Sequence, residues 1–262
     1  MAKIKVALLS AGLAPQNFEM ALKRILDSST KIYSFSNVFA LDTSNITKYC
    51  PKVSFLYGEY LNARVPGFGY WLWKPEFIYT IARGDFGEFD QIVWVDSGCE
   101  INANLVSRIK FKSRILEAQE VGIWVHALKN SEHEYSKKSV ISQFPELGNS
   151  ALEAPQIQAN YMHFSTRKAF PLIREWFDKS LGSVSNFDLS SIQIEDPKFI
   201  EHKSDQSVLS LIVKKYGYKH SRLNLPNGRT WKSALRGISE PVWISRNRRG
   251  ESLIPSWIRR LP

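Results

Sequence analysis

The sequence predicts an α/β protein with a mostly parallel central sheet flanked by helices. Three observations carry this. Apolar, β-branched runs of strand length alternate with segments of helical period through the first half of the chain, which favours parallel strands covered on both faces. Runs such as Gln91–Val95 are strongly apolar and β-branched, as strands buried on both faces are. The 262 residues, 44% hydrophobic and 13% aromatic, suffice for one large core and exclude a disordered chain.

Ile4 to Leu9 is a near-continuous apolar strand that exits at Ser10-Ala11-Gly12. Phe18 to Leu26 has helical spacing, with Met20, Leu22 and Ile25 as core positions. Lys31 to Phe35 and Lys52 to Leu56 read as strands. Pro75 opens a helix that runs to about Arg83, since proline's missing N–H costs nothing in the first turn, and Gly84-Asp85 ends it. Gln91 to Val95 is a strand that terminates at Asp96-Ser97-Gly98. Asn104 to Gln119 reads as helix and Val121 to Val125 as strand. After a polar connection from Lys129 to Glu153 come a strand at Tyr161 to Phe164 and an amphipathic helix, Thr166 to Lys179, capped by Thr166. Ser204 to Tyr216 is a further helix, with Gly217 as its stop signal.

Lys and Arg total 35 against 25 Asp and Glu, a net +10. Such a balance implies an anionic partner: nucleic acid, an acidic membrane surface or a phosphorylated small molecule. The charge is unevenly spread. Arg229, Lys232, Arg236, Arg246, Arg248, Arg249, Arg259 and Arg260 face only Glu240 and Glu251, so residues 229–262 hold +6 of the +10, with Trp231, Trp243 and Trp257 interleaved. The organisation expected is a main domain over 1–228 and a basic, Trp- and Arg-rich extension over 229–262, too short and polar to own a core. No run has the length of a spanning helix, and the start, Met1-Ala2-Lys3-Ile4-Lys5, is interrupted too early for a signal peptide. Cys50 and Cys99 are the only cysteines; two free, buried thiols in a reducing cytosol are expected.

Three clusters can carry chemistry. In Gly67-Phe68-Gly69-Tyr70-Trp71-Leu72-Trp73-Lys74-Pro75 two glycines free the backbone for a tight loop, and Lys74 adds an ammonium at a helix N-terminus, an anion site in the making. The alternative is that the rings fill the core and Lys74 is solvated. Asp96-Ser97-Gly98-Cys99-Glu100 follows a buried strand, and the carboxyl ends of parallel strands are where ligands bind. An aspartate there suits Mg²⁺ or Mn²⁺, although an extended chain would put Asp96 and Glu100 roughly 13 Å apart; a turn at Gly98 would be needed to close that gap. Asp205-Gln206 opens a helix, where a capping role competes with a role in lining a cleft; Gln156 or Gln158 can join them. The five histidines are scattered and read as structural, with His202 and His220 nearest the third cluster.

The ordered set formed by Gly67–Pro75, IVWVDSGCEIN (Ile92 to Asn102), Gln156-Ile157-Gln158-Ala159, Glu175-Trp176 and HKSDQSVLSL (His202 to Leu211) resembles bacterial glycosyltransferases of the GT-A fold from capsule, O-antigen and related polysaccharide clusters. The likeness spans about residues 4 to 218. It implies a GT-A-like, Rossmann-like domain and a nucleotide-diphosphate-sugar donor. Ser10, Gly12 and Asp42 would border the nucleotide, while Lys74, Asp96, Ser97 and Gly98 would meet the diphosphate. Asp96 falls where this fold carries its Asp-x-Asp metal motif, so a manganese or magnesium ion on Asp96 is the cofactor implied, with Gly98 in the place of the second aspartate. Asp205, Gln206 and Gln158 would be the catalytic residues facing the sugar. A hexosyltransferase, retaining or inverting, in surface polysaccharide or lipopolysaccharide synthesis is the activity implied. Its acceptor would be a saccharide or lipid-linked hydroxyl. The place implied is the cytoplasm, or the inner face of the plasma membrane, held there by the basic tail. If the enzyme inverts, Asp205 and Glu100 are the carboxylates available as base. The competing reading is a nucleic-acid or anionic-polymer binder that uses the tail's tryptophans and arginines; no nucleic-acid motif accompanies it.

Overall fold

A computed structural model describes residues 4–13, 16–191, 193–221, 225–226, 230–248 and 251–259. Met1, Ala2, Lys3, Arg229, Arg249 and Arg260 lie outside the described residues. The protein is α/β, with a mostly parallel five-stranded sheet flanked by helices, in the order β2-β1-β3-β6-β5. Its strands are β1 (Val6–Ala11), β2 (Asn37–Leu41), β3 (Gln91–Val95), β5 (Ile123–Ser131) and β6 (Pro155–Ser165). β1 runs parallel to β2 and β3, while β6 lies antiparallel to both β3 and β5. Four strands therefore point one way and β6 the other. A second, two-stranded sheet pairs β4 (Glu100–Ile101) with β7 (Val242–Trp243).

Strand alternation sorts the core into two layers. Ala7, Leu9, Ile92 and Trp94 pack on one face with Phe77, Trp176 and Leu209. These come from the helices Trp73–Ala82, Phe170–Gly182 and Asp205–Lys215. Val6, Leu8, Val93 and Val95 pack on the other face with Ile25, Phe111 and Ile115, from the helices Gln16–Ile32 and Leu105–Val121. Asp96 continues the parity of Ile92 and Trp94, so it leaves the sheet on the first face.

Several elements differ from the sequence reading, each for a local reason. Lys52–Leu56 is not a strand: Pro51 sits in the first turn of a helix, Pro51–Tyr57, where its fixed φ suits helix entry. Lys31–Phe35 is the end of the Gln16–Ile32 helix and the loop after it; the strand begins at Asn37. Met20 is 50% exposed on the outer face of that helix, while Leu22 and Ile25 are buried. The Lys74 helix starts two residues before Pro75, still within the turn whose N–H groups have no intrahelical partner. Thr166 does not cap its helix: its hydroxyl donates to the Phe89 carbonyl, and the helix starts at Phe170. Both cysteines are free and buried.

The segment read as an extension without a core has a small apolar cluster of its own and is bonded to the main unit at several points. Trp243, Ile254 and Ile258 are buried in a small cluster with Ala234. The Asn104 amide donates to the Ile238 carbonyl at 2.7 Å, and Arg114 pairs with buried Glu240.

Candidate active site

The chain leaves β1 for β2 on one side and leaves β3 for β4 and β5 on the other. The carboxyl ends of β1 and β3 thus form a topological switch point, where the diverging connections open a crevice. Ser10–Gly12 borders it from β1 and Asp96–Gly98 from β3.

Lys74 reaches this crevice through an unusual loop. Gly67, Phe68, Gly69, Tyr70 and Trp71 all have positive φ, between 52° and 96°. A Cβ at Gly67 would fall 2.2 Å from the Trp71 ring, and the Trp73 indole donates to the Gly67 carbonyl at 2.9 Å. The loop is thereby closed on itself and presents Lys74 inward. Lys74 is 1% exposed, and its Nζ lies 3.0 Å from Asp96 Oδ1 and 3.0 Å from Asp205 Oδ2. It donates a hydrogen bond to Asp96 and forms an ion pair with Asp205. The ammonium also sits 4.8 Å from the centre of the Trp94 ring, whose Nε1 donates to Asp96 Oδ1 at 2.6 Å.

Burial opposes the Lys74 charge, but Asp205 and Asp96 outweigh it and hold the ammonium above its ordinary pKa. Burial acts on Asp205 as well. It pushes the carboxyl up to about 6, with Lys74 pulling it down and the charge of Asp96 adding to the rise. Asp96, with its side chain 35% accessible against 8% for Asp205, is the more open of the two carboxylates.

Gln206 follows Asp205 on the same helical turn. Its Nε2 donates to Gln156 Oε1 at 2.6 Å, and its Oε1 accepts from the Ala159 N–H at 3.4 Å. Gln156 is fixed in turn by Glu132 Oε2 at 3.1 Å and Ser136 Oγ at 3.2 Å. Gln158, two residues on along β6, is half-buried. Asn160 was not legible from sequence: its carbonyl accepts the Asp96 N–H at 2.8 Å, and its Oδ1 lies 3.0 Å from His126 Nε2. Burial pushes His126 down to about 3, so it is neutral. His202 is neutral too, pushed down to about 4 by burial, with both ring nitrogens bonded to backbone.

Other residues stand apart from this centre. Asp42 closes the turn after β2, its Oδ1 accepting from Ser44 N, Ser44 Oγ and Asn45 N. The Ser10 hydroxyl is buried without a hydrogen-bond partner. Gly12 lets the Gln16–Ile32 helix approach the β1 exit, since a Cβ there would lie 2.5 Å from the Phe18 carbonyl. Ser97 is buried and its carbonyl accepts from Arg24, while the Gly98 carbonyl accepts from Asn247 N. Glu100 is not a candidate base. It is 1% exposed and takes bonds from Asn247, Ser252, Leu253 and Ile254. The donor set does not suit the expected divalent cation. The place between Asp96 and Asp205 is filled by the Lys74 ammonium, and among the described residues no three His, Cys, Asp or Glu side chains cluster as ligands.

Fold and site together define an α/β protein with a ligand crevice at the carboxyl edge of its parallel strands and a buried lysine between two aspartates. No family model matches the chain, and no curated protein matches it. Among solved structures the chain is similar to mouse xyloside xylosyltransferase 1 in its apo form, at 10% identity over 92% of this chain and 97% of that one, with a TM-score of 0.46. It is also similar to a glycosyltransferase involved in glycosylation of the major capsid of PBCV-1, at 10% identity over 91% of each chain and a TM-score of 0.49. A third is the 4-diphosphocytidyl-2C-methyl-D-erythritol synthase of Anaerococcus prevotii, at 8% identity over 84% of this chain and 86% of that one, with a TM-score of 0.40.

Proposed function

We propose that the protein is a glycosyltransferase that moves a sugar from a nucleotide-diphosphate donor to a hydroxyl of a saccharide or lipid-linked acceptor. The observation that carries this reading is the meeting of Lys74, Asp96 and Asp205 at the switch point. Three segments far apart in sequence, each part of the motif order that resembles GT-A glycosyltransferases, supply one residue apiece.

Glycosyl transfer requires that the leaving diphosphate be neutralised, the oxocarbenium-like transition state accommodated and the acceptor hydroxyl oriented. Lys74 supplies fixed positive charge beside the crevice. Gln206, tied at both ends to β6, and Gln158 orient the donor sugar. Asp205 faces the sugar, and in an inverting transfer it is the carboxylate available to take the acceptor proton. A base titrating near 6 is ionised at neutral pH and matched to that task.

Surface polysaccharide synthesis at the inner face of the plasma membrane is the setting we infer, and the basic residues of 229–262 support it. Among the described residues no helix is long and apolar enough to cross a membrane, which leaves peripheral contact to the tail. A nucleic-acid role for the tail is weakened by Trp243, which is fully buried and has no face to offer a base. A thermal-shift screen against UDP-, GDP-, CMP- and dTDP-sugars, followed by detection of sugar release or transfer, tests the proposal. A shift and turnover with one donor supports it, and no response to any of the four refutes it.

A further inference from the structure

The segment that follows β7 crosses directly over the β3 exit. Asn247 N donates to the Gly98 carbonyl at 2.9 Å, and Ser245 Oγ donates to the same oxygen at 3.2 Å. Arg24, buried in the helix after β1, ties the two pieces together, with Nη2 2.9 Å from the carbonyls of Ser97, Cys99 and Asn247. Glu100 holds the far end through Asn247 Nδ2, Ser252 Oγ and the Leu253 and Ile254 N–H groups. These bonds, several of them buried, tie residues 245–247 and 252–254 to the β3 exit.

Ser245 and Asn247 point inward and are buried, which turns Arg246 and Arg248 outward. Arg246 rests its backbone on Gly98, with its Cα 3.6 Å from where a Cβ of that glycine would be. It is held at φ 51°, a conformation that is strained for arginine and that tends to mark functional positions. Its side chain makes no ion pair among the described residues. Arg248 stacks its guanidinium 4.6 Å from the centre of the Phe18 ring, in the first turn of the helix that leaves β1. The two arginines therefore flank the crevice, one at the β3 exit and one beside the β1 exit.

Charge makes this placement consequential. On its floor the crevice carries Lys74 against Asp96 and Asp205, a net −1 that would repel a diphosphate, and the ammonium already fills the gap that a cation shared by both carboxylates would need. Two arginines at the rim reverse the sign to +1, and a guanidinium fork suits paired phosphate oxygens. The geometry points to residues 244–248 as part of the donor site, with Arg246, assisted by Arg248, binding the donor's diphosphate together with Lys74 in place of a divalent cation. This rests on the glycosyltransferase reading.

The test is calorimetric titration of the full chain with UDP, GDP, CDP and dTDP, in EDTA and in millimolar manganese. The nucleotide that binds tightest is expected to bind within about twofold in the two buffers. Arg246→Ala should weaken it about tenfold or more, the loss of one charge-assisted contact, with the melting temperature unchanged; Arg248→Ala should act in the same direction. Binding that requires manganese, or an Arg246→Ala protein that binds as tightly as wild type, overturns the inference. If wild type binds none of the four in either buffer, the donor reading itself fails and this one with it, a result distinct from the previous two because it is seen without any substitution.

Discussion

Replacing Lys74 by methionine isolates the energetics of the buried centre. Asp205 titrates at about 6 in the folded protein against 3.8 for the free side chain, a difference of about 3 kcal/mol at 1.36 kcal/mol per pH unit. The folded state binds this proton more tightly than the unfolded chain does. Stability therefore falls as pH rises from 3.8 through about 6, and the whole cost is present above 6. Lys74 follows the same sign at higher pH: its raised pKa contributes stability that is full below 10.5 and lost as pH rises through the folded value. Lys74→Met removes the attraction that keeps Asp205 from rising further, so the pH window extends upward across neutrality. At pH 8 the variant carries an uncompensated buried carboxylate and should lose about 3–5 kcal/mol; at pH 5, where Asp205 takes up a proton, it should regain about 1–3 kcal/mol of that. Urea denaturation of wild type, Lys74→Met and Lys74→Met/Asp205→Asn at the two pH values reads this directly. The double variant should be flat with pH, because Asp96 is solvated enough to stand alone. An equal loss for Lys74→Met at both pH values would refute the reasoning.

Asp96→Asn, at a partly open side chain, should reduce sugar turnover about 100-fold with its melting temperature within a few degrees of wild type, measured with the donor found in the thermal-shift screen. Gly67→Ala should cost about 2 kcal/mol or more, because the added Cβ meets the Trp71 ring at a positive φ; a urea midpoint equal to wild type would contradict the account of the loop. Charge reversal of the exposed Lys232, Arg236 and Arg259 should abolish sedimentation with phosphatidylserine vesicles, since each basic residue contributes about 1 kcal/mol at such a surface. Undiminished sedimentation would remove the tail from membrane contact.

Local signals carried β1 and β3 but not β2. β3 and its exit at Asp96 were legible because a strand buried on both faces reads as a strongly apolar run, and Asn104 accepts from the Ser107 N–H as an N-cap does. Lys52–Leu56 misled because Val53 and Phe55 have strand character, while Phe55 is 87% exposed on a helix entered at Pro51. Lys74, Asp96 and Asp205 could each be singled out from their neighbourhoods as candidates, but their meeting could not be read. It depends on strand order and on which face of the sheet each exit takes. Charge alone did not show how residues 229–262 attach: the partners of Glu100 lie about 150 residues further along the chain.

That distance has a consequence for how the protein is made. Glu100 and the Asp96 loop leave the ribosome 147 residues before Asn247. At roughly 5–20 residues per second they wait about 7–30 s for the segment that satisfies them. The sheet can assemble in that interval, but the rim of the crevice cannot. A nascent chain halted before residue 245 would hold a formed core with a buried carboxylate left unsatisfied, so the β3 exit is completed only once that later segment has been made.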